Sequence, residues 1–192
     1  ARSGRSCLSP PAGRMIPRLV DTAVLDTPRL ILRAPGPADW EGFATFLASP
    51  RSCFVGGPVE RTKAWRAFGH LTGHWVLRGF GSFIITLKET GAAIGMTGPW
   101  FPEGWPEREL GWAMWSDDHQ GWGLAFEAAT AARDFAFRDL GWTTAVSYIN
   151  PGNTRSIALA ERLGARRDTE AAIPHPEEPT LVYRHPKPKG AA

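Results

Sequence analysis

Two cysteines in 192 residues, Cys7 and Cys53, give the chain no paired-thiol spacing for a metal, a redox couple or a disulfide framework. A reducing compartment suits such a chain, so a cytoplasmic protein is expected. No apolar run approaches the roughly 18–20 residues that a membrane span needs. The arginine-bearing N-terminal stretch holds no apolar block of the kind a secretory signal requires. Acidic residues are scarce at both ends. Residues 1–33 carry six arginines against two aspartates, and from Arg184 onward three basic residues face no acidic one. The segment 34–183 is the reverse, with 13 basic and 17 acidic residues. The basic balance therefore belongs to the termini, and a mildly acidic body argues against a nucleic-acid-binding face.

What remains is a composition of 43% hydrophobic and 21% charged residues, enough for one domain with a full core. Residues 1–20, punctuated by Gly4, Pro10, Pro11 and Gly13, read as a flexible lead, 21–185 as the domain, and 186–192 as a basic tail. A first strand is expected around Leu30–Leu32, a helix from Asp39 to Ala48, and a second helix from Glu60 to about Leu77. A hairpin follows over Ser82–Lys88 and Ala92–Trp100, then an aromatic and proline-rich loop over 101–107. A fourth strand is expected over Arg108–Trp115. Glu109, Gly111, Ala113 and Trp115 lie on one of its faces, Leu110, Trp112 and Met114 on the other. A long helix over Leu124–Arg138, a strand over Thr143–Ile149, a helix begun by Asn153 or Thr154 and closed at Leu163-Gly164, and a final strand pair complete the order. The spacing of His70 and His74 is metal-capable, but no third ligand accompanies it, and a helix face with one or both rings at the surface is the simpler reading.

The most informative stretch is Asp118 to Ala129, where Gly121 and Gly123 join the fourth strand to the long helix. First-turn N–H groups of a helix lack intrahelical partners and sit at the positive end of its dipole, so they favour an anion. Glycines there let a phosphate approach the backbone. No Lys-Ser/Thr follows, so the loop is not a P-loop, and no third glycine stands in the dinucleotide register. Without further evidence, a tight strand-to-helix connection reads equally well.

Gln120-x-x-Gly123-x-Ala125 resembles the Q/R-x-x-G-x-G/A motif of the GNAT superfamily of N-acetyltransferases. Three further stretches are similar to its RimJ/RimL-like branch. They are Thr27-Pro28-Arg29-Leu30-Ile31-Leu32-Arg33, Glu109-Leu110-Gly111-Trp112, and Asn153-Thr154-Arg155-Ser156 followed by Glu161-Arg162-Leu163-Gly164. The resemblance implies an α/β fold of the mixed α+β type. A mostly antiparallel central sheet is flanked by helices and splayed between its fourth and fifth strands. It implies acetyl-CoA as cosubstrate, no metal, and a primary amine as acceptor, either a protein N-terminus or a small molecule, attacked directly in a ternary complex.

Carried onto this sequence, the family's cofactor cradle falls on Met114, Trp115, Gln120, Gly121, Trp122, Gly123, Leu124 and Ala125, with Asn153 toward the pantetheine arm. A backbone N–H near Met114 or Trp115 is the expected oxyanion donor. Glu109 is the candidate base and Glu107 the runner-up; the structural alternative for Glu109 is a carboxylate paired with Arg33, Arg108 or a backbone amide. Many members place a tyrosine acid seven residues after the asparagine, but here that position is Ala160. Ser156 is the hydroxyl left for that role, or else for hydrogen bonding alone. This departure keeps open a non-catalytic acyl-CoA-binding domain. A homodimer is left open by the sequence, and no membrane or nucleic-acid partner is expected.

Overall fold

The computed structural model describes residues 19–188; the N-terminal lead up to residue 18 and the last four residues of the basic tail lie outside them. Its strands are β1 (Leu25–Asp26), β2 (Leu30–Arg33), β3 (Phe83–Leu87), β4 (Ala93–Trp100), β5 (Glu109–Met114), β6 (Val146–Ile149), β7 (Arg166–Arg167) and β8 (Leu181–Arg184). Its α-helices are α1 (Trp40–Ala48), α2 (Arg61–Arg78), α3 (Leu124–Arg138) and α4 (Thr154–Arg162). Among the described residues, no helix is long and apolar enough to cross a membrane.

One eight-stranded sheet runs in the order β1-β2-β3-β4-β5-β6-β8-β7. Every pairing is antiparallel except β5 with β6. The parallel pair holds at one position, Glu109 opposite Val146, and beyond it the strands separate. The expected splay is therefore present. The two-residue β1 precedes the strand expected first, so the splayed pair is β5 and β6. The β6 strand is shorter than its β-branched run suggested: Thr143–Ala145 leads into the sheet outside the ladder, with the Ala145 carbonyl accepting from the His185 N–H (2.9 Å).

Alternation along each strand distributes the core between the two faces. Leu30, Leu32, Phe83, Ile85 and Ile94 pack against Leu124, Ala128, Ala132 and Phe135 of α3. Ile84 and Ala113, on the opposite face, pack against Phe43, Phe46 and Leu47 of α1 and Phe68 and Leu71 of α2. α4 joins α3 on its face through Ala160, which packs with Ile149 and Tyr183. Arg133 of α3 donates to the Leu163 carbonyl at the end of α4 (2.8 Å).

Polar groups fix the entry to α1 and the end of α2. Asp39 is buried, accepts from the Gly36 N–H and receives both Arg33 Nη atoms at 2.7 and 2.8 Å, a bidentate pair. His74, also buried, stacks on Trp100. Its Nδ1 donates to the Phe80 carbonyl and its Nε2 accepts from the Phe101 N–H. Both ring nitrogens are thus committed within the fold, while His70 one turn earlier is exposed.

Candidate active site

The Gly121-Trp122-Gly123 connection delivers the chain from β5 to α3. Both glycines have positive φ, +81° and +77°, a region that costs an L-residue roughly 1–2 kcal/mol. Gly123 is the N-cap of α3, so no cap side chain covers the first-turn N–H groups. The one acidic residue in that turn, Glu127, is turned away from them. It accepts from the Thr27 hydroxyl (2.7 Å), the Arg29 N–H (2.8 Å) and Arg29 Nε (2.7 Å). Burial opposes the Glu127 charge, but these donors prevail and hold its pKa below the usual carboxylate value. Arg29 Nη1 also donates to the Trp122 carbonyl (2.8 Å).

A cleft of about 1130 Å³ opens beside this turn. Met114, Trp115, Gln120, Gly121, Gly123, Leu124, Ala125, Asn153 and Ser156 all line it. Trp122 does not: its side chain is 62% exposed and packs edge-on to His119 outside the cleft. Arg51, Arg155 and Arg162 line the wall and supply positive charge. Arg162 sits over the Phe126 ring at 4.1 Å, while Arg51 pairs with Asp117 and donates from Nε to the Met114 carbonyl. Among the described residues, Trp115 Nε1 and His119 Nδ1 are buried polar atoms without a hydrogen-bond partner, and both residues line this cleft. Anion-seeking N–H groups, arginines and unpartnered polar atoms together fit a long phosphorylated cofactor.

The β5 edge decides which backbone group can face that cofactor. Of the two positions expected from sequence, Met114 and Trp115, the Trp115 N–H is engaged with β4, donating to the Ile94 carbonyl at 2.9 Å. Neighbouring residues of an antiparallel strand alternate in the edge they present. Met114 therefore turns its N–H toward the gap beside β6.

A second cavity, about 770 Å³, lies on the other side of the splay and is lined by Glu109, Trp100, Trp105, Tyr148 and His175, among others. It shares Cys53, Phe54, Val55, Trp112, Asn153 and Ser156 with the first. At this junction Trp112 Nε1–H donates to Ser156 Oγ (3.1 Å). Indole N–H is donor only, so the serine oxygen accepts and its own proton stays available. Asn153 caps α4 by accepting from the Ser156 N–H (3.2 Å).

Glu109 accepts one hydrogen bond from Trp105 Nε1–H (2.7 Å) and makes no ion pair among the described residues. None of the partners expected for a structural carboxylate holds it: Arg33 is on Asp39, and Arg108 lies over the Trp142 ring. Burial pushes its pKa from 4.5 to about 7, against the opposing Trp105 bond. Glu107, by contrast, is held by Arg184 Nη1 and Nη2 at 2.7 and 2.9 Å. Burial, followed by the nearby Glu107 and Glu109 charges, raises Tyr148 to about 12, so its phenol stays protonated.

An Acetyltransferase (GNAT) domain profile matches residues 29–166. The chain belongs to the GNAT acetyltransferase family. A crystallised acetyltransferase from Agrobacterium tumefaciens is similar at 41% identity and a TM-score of 0.81, covering 91% of this chain and 99% of that one. RimL, a ribosomal L7/L12 alpha-N-protein acetyltransferase solved with coenzyme A, shares the GNAT fold at 13% identity and a TM-score of 0.67, over 85% and 97% of the two chains. The uncharacterized protein YkkB of Bacillus subtilis is 35% identical over 88 residues, 45% of this chain. That match spans about half the length of YkkB, 51%. Acetyl transfer from acetyl-CoA to an amine is the general activity of GNAT proteins.

Sequence reasoning missed three contributors. Trp105 is readable only as one of five tryptophans, with Trp100, Trp112, Trp115 and Trp122, that fall around the cleft in sequence, yet it is the hydrogen-bond partner of Glu109. Arg51, on a short 3-10 turn of residues 50–52, carries no motif that separates it from other loop arginines. The segment Cys53–Val55 reads as a plain loop, but it borders both cavities, and the Phe54 ring stands close to Gly152.

Proposed function

We propose that this GNAT protein, as in the RimJ/RimL-like branch, moves an acetyl group from acetyl-CoA to a primary amine by direct attack in a ternary complex. The carrying observation is the meeting of two cavities at Trp112, Asn153 and Ser156, with the unpaired Glu109 on the acceptor side only. Acetyl-CoA supplies the thioester. The α3 first turn, Arg155 and Arg162 hold its phosphates, and the β5 edge holds its arm.

An alkylamine with pKa near ~10 arrives as ammonium. Glu109, at about 7, takes its proton near neutral pH. The amine nitrogen then bonds to the acyl carbon as the carbon–sulfur bond breaks. Met114 N–H, fixed in the strand, donates to the carbonyl oxygen as charge builds there, at little reorganisation cost. Ser156 gives its Oγ proton to the departing sulfur and regains the second proton that the new amide nitrogen sheds, while Glu109 returns the first to solvent. Ala160 offers no hydroxyl and is fully buried in the α4 core.

Thermal unfolding with and without acetyl-CoA tests the reading. Ligand at about 100 times its Kd stabilises the fold by about 2.7 kcal/mol. Gly123→Glu places a carboxylate at the cradle and should abolish the shift. No shift at saturating acetyl-CoA in the unmodified protein would remove the enzyme reading. A shift without turnover of any amine, unaffected by Glu109→Gln, would favour the acyl-CoA-binding alternative.

A further inference from the structure

The two cavities differ in charge as well as position. The cofactor-side cleft has three arginines in its wall against one carboxylate, Asp117, which pairs with Arg51 and Arg155. Among the described residues, no lysine or arginine lines the acceptor-side cavity, which instead carries two carboxylates, Glu109 and Glu178. Glu109 stands inside with Trp105 as its single hydrogen-bond partner. Glu178 is exposed and makes no ion pair among the described residues. Phe43, Leu71, Met96 and Trp100 supply apolar wall between them.

This lining discriminates by charge. An ammonium entering it meets a carboxylate without a cation and aromatic faces that attract positive charge. An acceptor with a carboxylate or phosphate beside its amine would bring that anion against Glu109 with no lysine or arginine in the wall to offset it, a costly burial. The volume of about 770 Å³ is that of a pocket for a compact ligand. Its borders are occupied as well: His175 packs edge-on to Trp105 at 5.5 Å, and Phe54 and Val55 stand on the strap shared with the cofactor cleft.

We propose that the acceptor is a compact primary amine with an aromatic or alkyl body and no acidic group. This rests on the acetyl-transfer reading, and the experiment separates the two. Release of the coenzyme A thiol is followed with matched pairs that differ by one carboxylate, phenethylamine against phenylalanine and tryptamine against tryptophan, and with a hexapeptide bearing a free N-terminus. The amines should exceed their amino-acid partners by about a hundred-fold in kcat/KM, and should exceed the hexapeptide. Glu178→Arg, an exposed change, should raise KM for the amines and lower it for the amino acids, each by about fivefold, with kcat little altered. Amino acids or the peptide used as well as the amines would overturn the proposal. So would failure of every amine in a protein that acetyl-CoA still stabilises. Absence of that stabilisation would instead remove the acetyl-transfer reading, and this proposal with it.

Discussion

Replacing Glu109 by glutamine separates a catalytic from a structural carboxylate, because the two predict opposite changes in stability. Burial raises the Glu109 pKa from 4.5 to about 7 in the fold, and the ordinary value returns on unfolding. Between those values the folded protein binds more protons than the unfolded chain, so stability falls as pH rises through the window. Above it the ionised side chain costs about 3 kcal/mol relative to a neutral one. Glutamine has the same shape and no charge, and it keeps an oxygen for the Trp105 N–H. The Glu109→Gln variant should therefore be more stable than the unmodified protein by about 2–3 kcal/mol near pH 8 and equal to it near pH 4.5. In a chain of this size that gain raises Tm by roughly 4–12 °C. The same change should lower kcat/KM by about 10²–10⁴ and remove the acid limb near pH 7.

Urea titrations of both proteins across this pH range give the difference. His185 works in the opposite direction. Burial, followed by the Arg133 charge, holds its imidazole down to about 4, so stability is lost as pH falls from the unfolded value of 6.5 toward that point. That slope opposes the Glu109 slope in the unmodified protein, stands alone in the variant, and cancels in the difference between the two. A Glu109→Gln protein that is less stable near pH 8, or that keeps the wild-type acid limb, would refute the reasoning.

Ser156→Ala should lower kcat by about 10–100-fold with the acetyl-CoA Kd unchanged, and should cost about 1 kcal/mol through the orphaned Trp112 N–H; steady-state kinetics and urea unfolding measure the two effects. Arg155→Ala combined with Arg162→Ala should raise the Kd for coenzyme A and flatten its salt dependence, read by calorimetry at two ionic strengths. His74→Ala should cost about 2–4 kcal/mol by stranding the Phe80 carbonyl and the Phe101 N–H, with denaturant midpoints as the readout.

The fold was legible where one residue pattern carried one physical cause. Alternation placed Leu110, Trp112 and Met114 on one face of β5 and Ala113 on the other, and the packing follows that division. Asn153 capping α4 and Gly164 closing it with a positive φ were readable because few residues suit those positions. Contacts between distant segments were not readable. Nothing local to Glu107 foretells Arg184, 77 residues away, and nothing in the 101–107 loop distinguishes Trp105 from Phe101 as the neighbour of Glu109. Which of Met114 and Trp115 turns its N–H toward the splay was not readable for a related reason: the β4–β5 register, which commits Trp115 and turns Met114 outward, belongs to two strands at once.

Sheets usually loosen at their edges, but this one is thinnest at its centre. The five strands from β1 to β5 form a continuous antiparallel ladder, and β6, β8 and β7 form another. Across the line between them run one residue pair, the Ser147 hydroxyl on the Leu110 carbonyl, and the Arg184 guanidinium of β8 on Glu107 just ahead of β5. Amide exchange should therefore resolve two blocks that open separately, with the slowest protons deep in each and not along the line between them. A molecule lying along that line would couple the blocks. Its effect would then include a sharper transition, with the protein unfolding as one unit where it had unfolded as two.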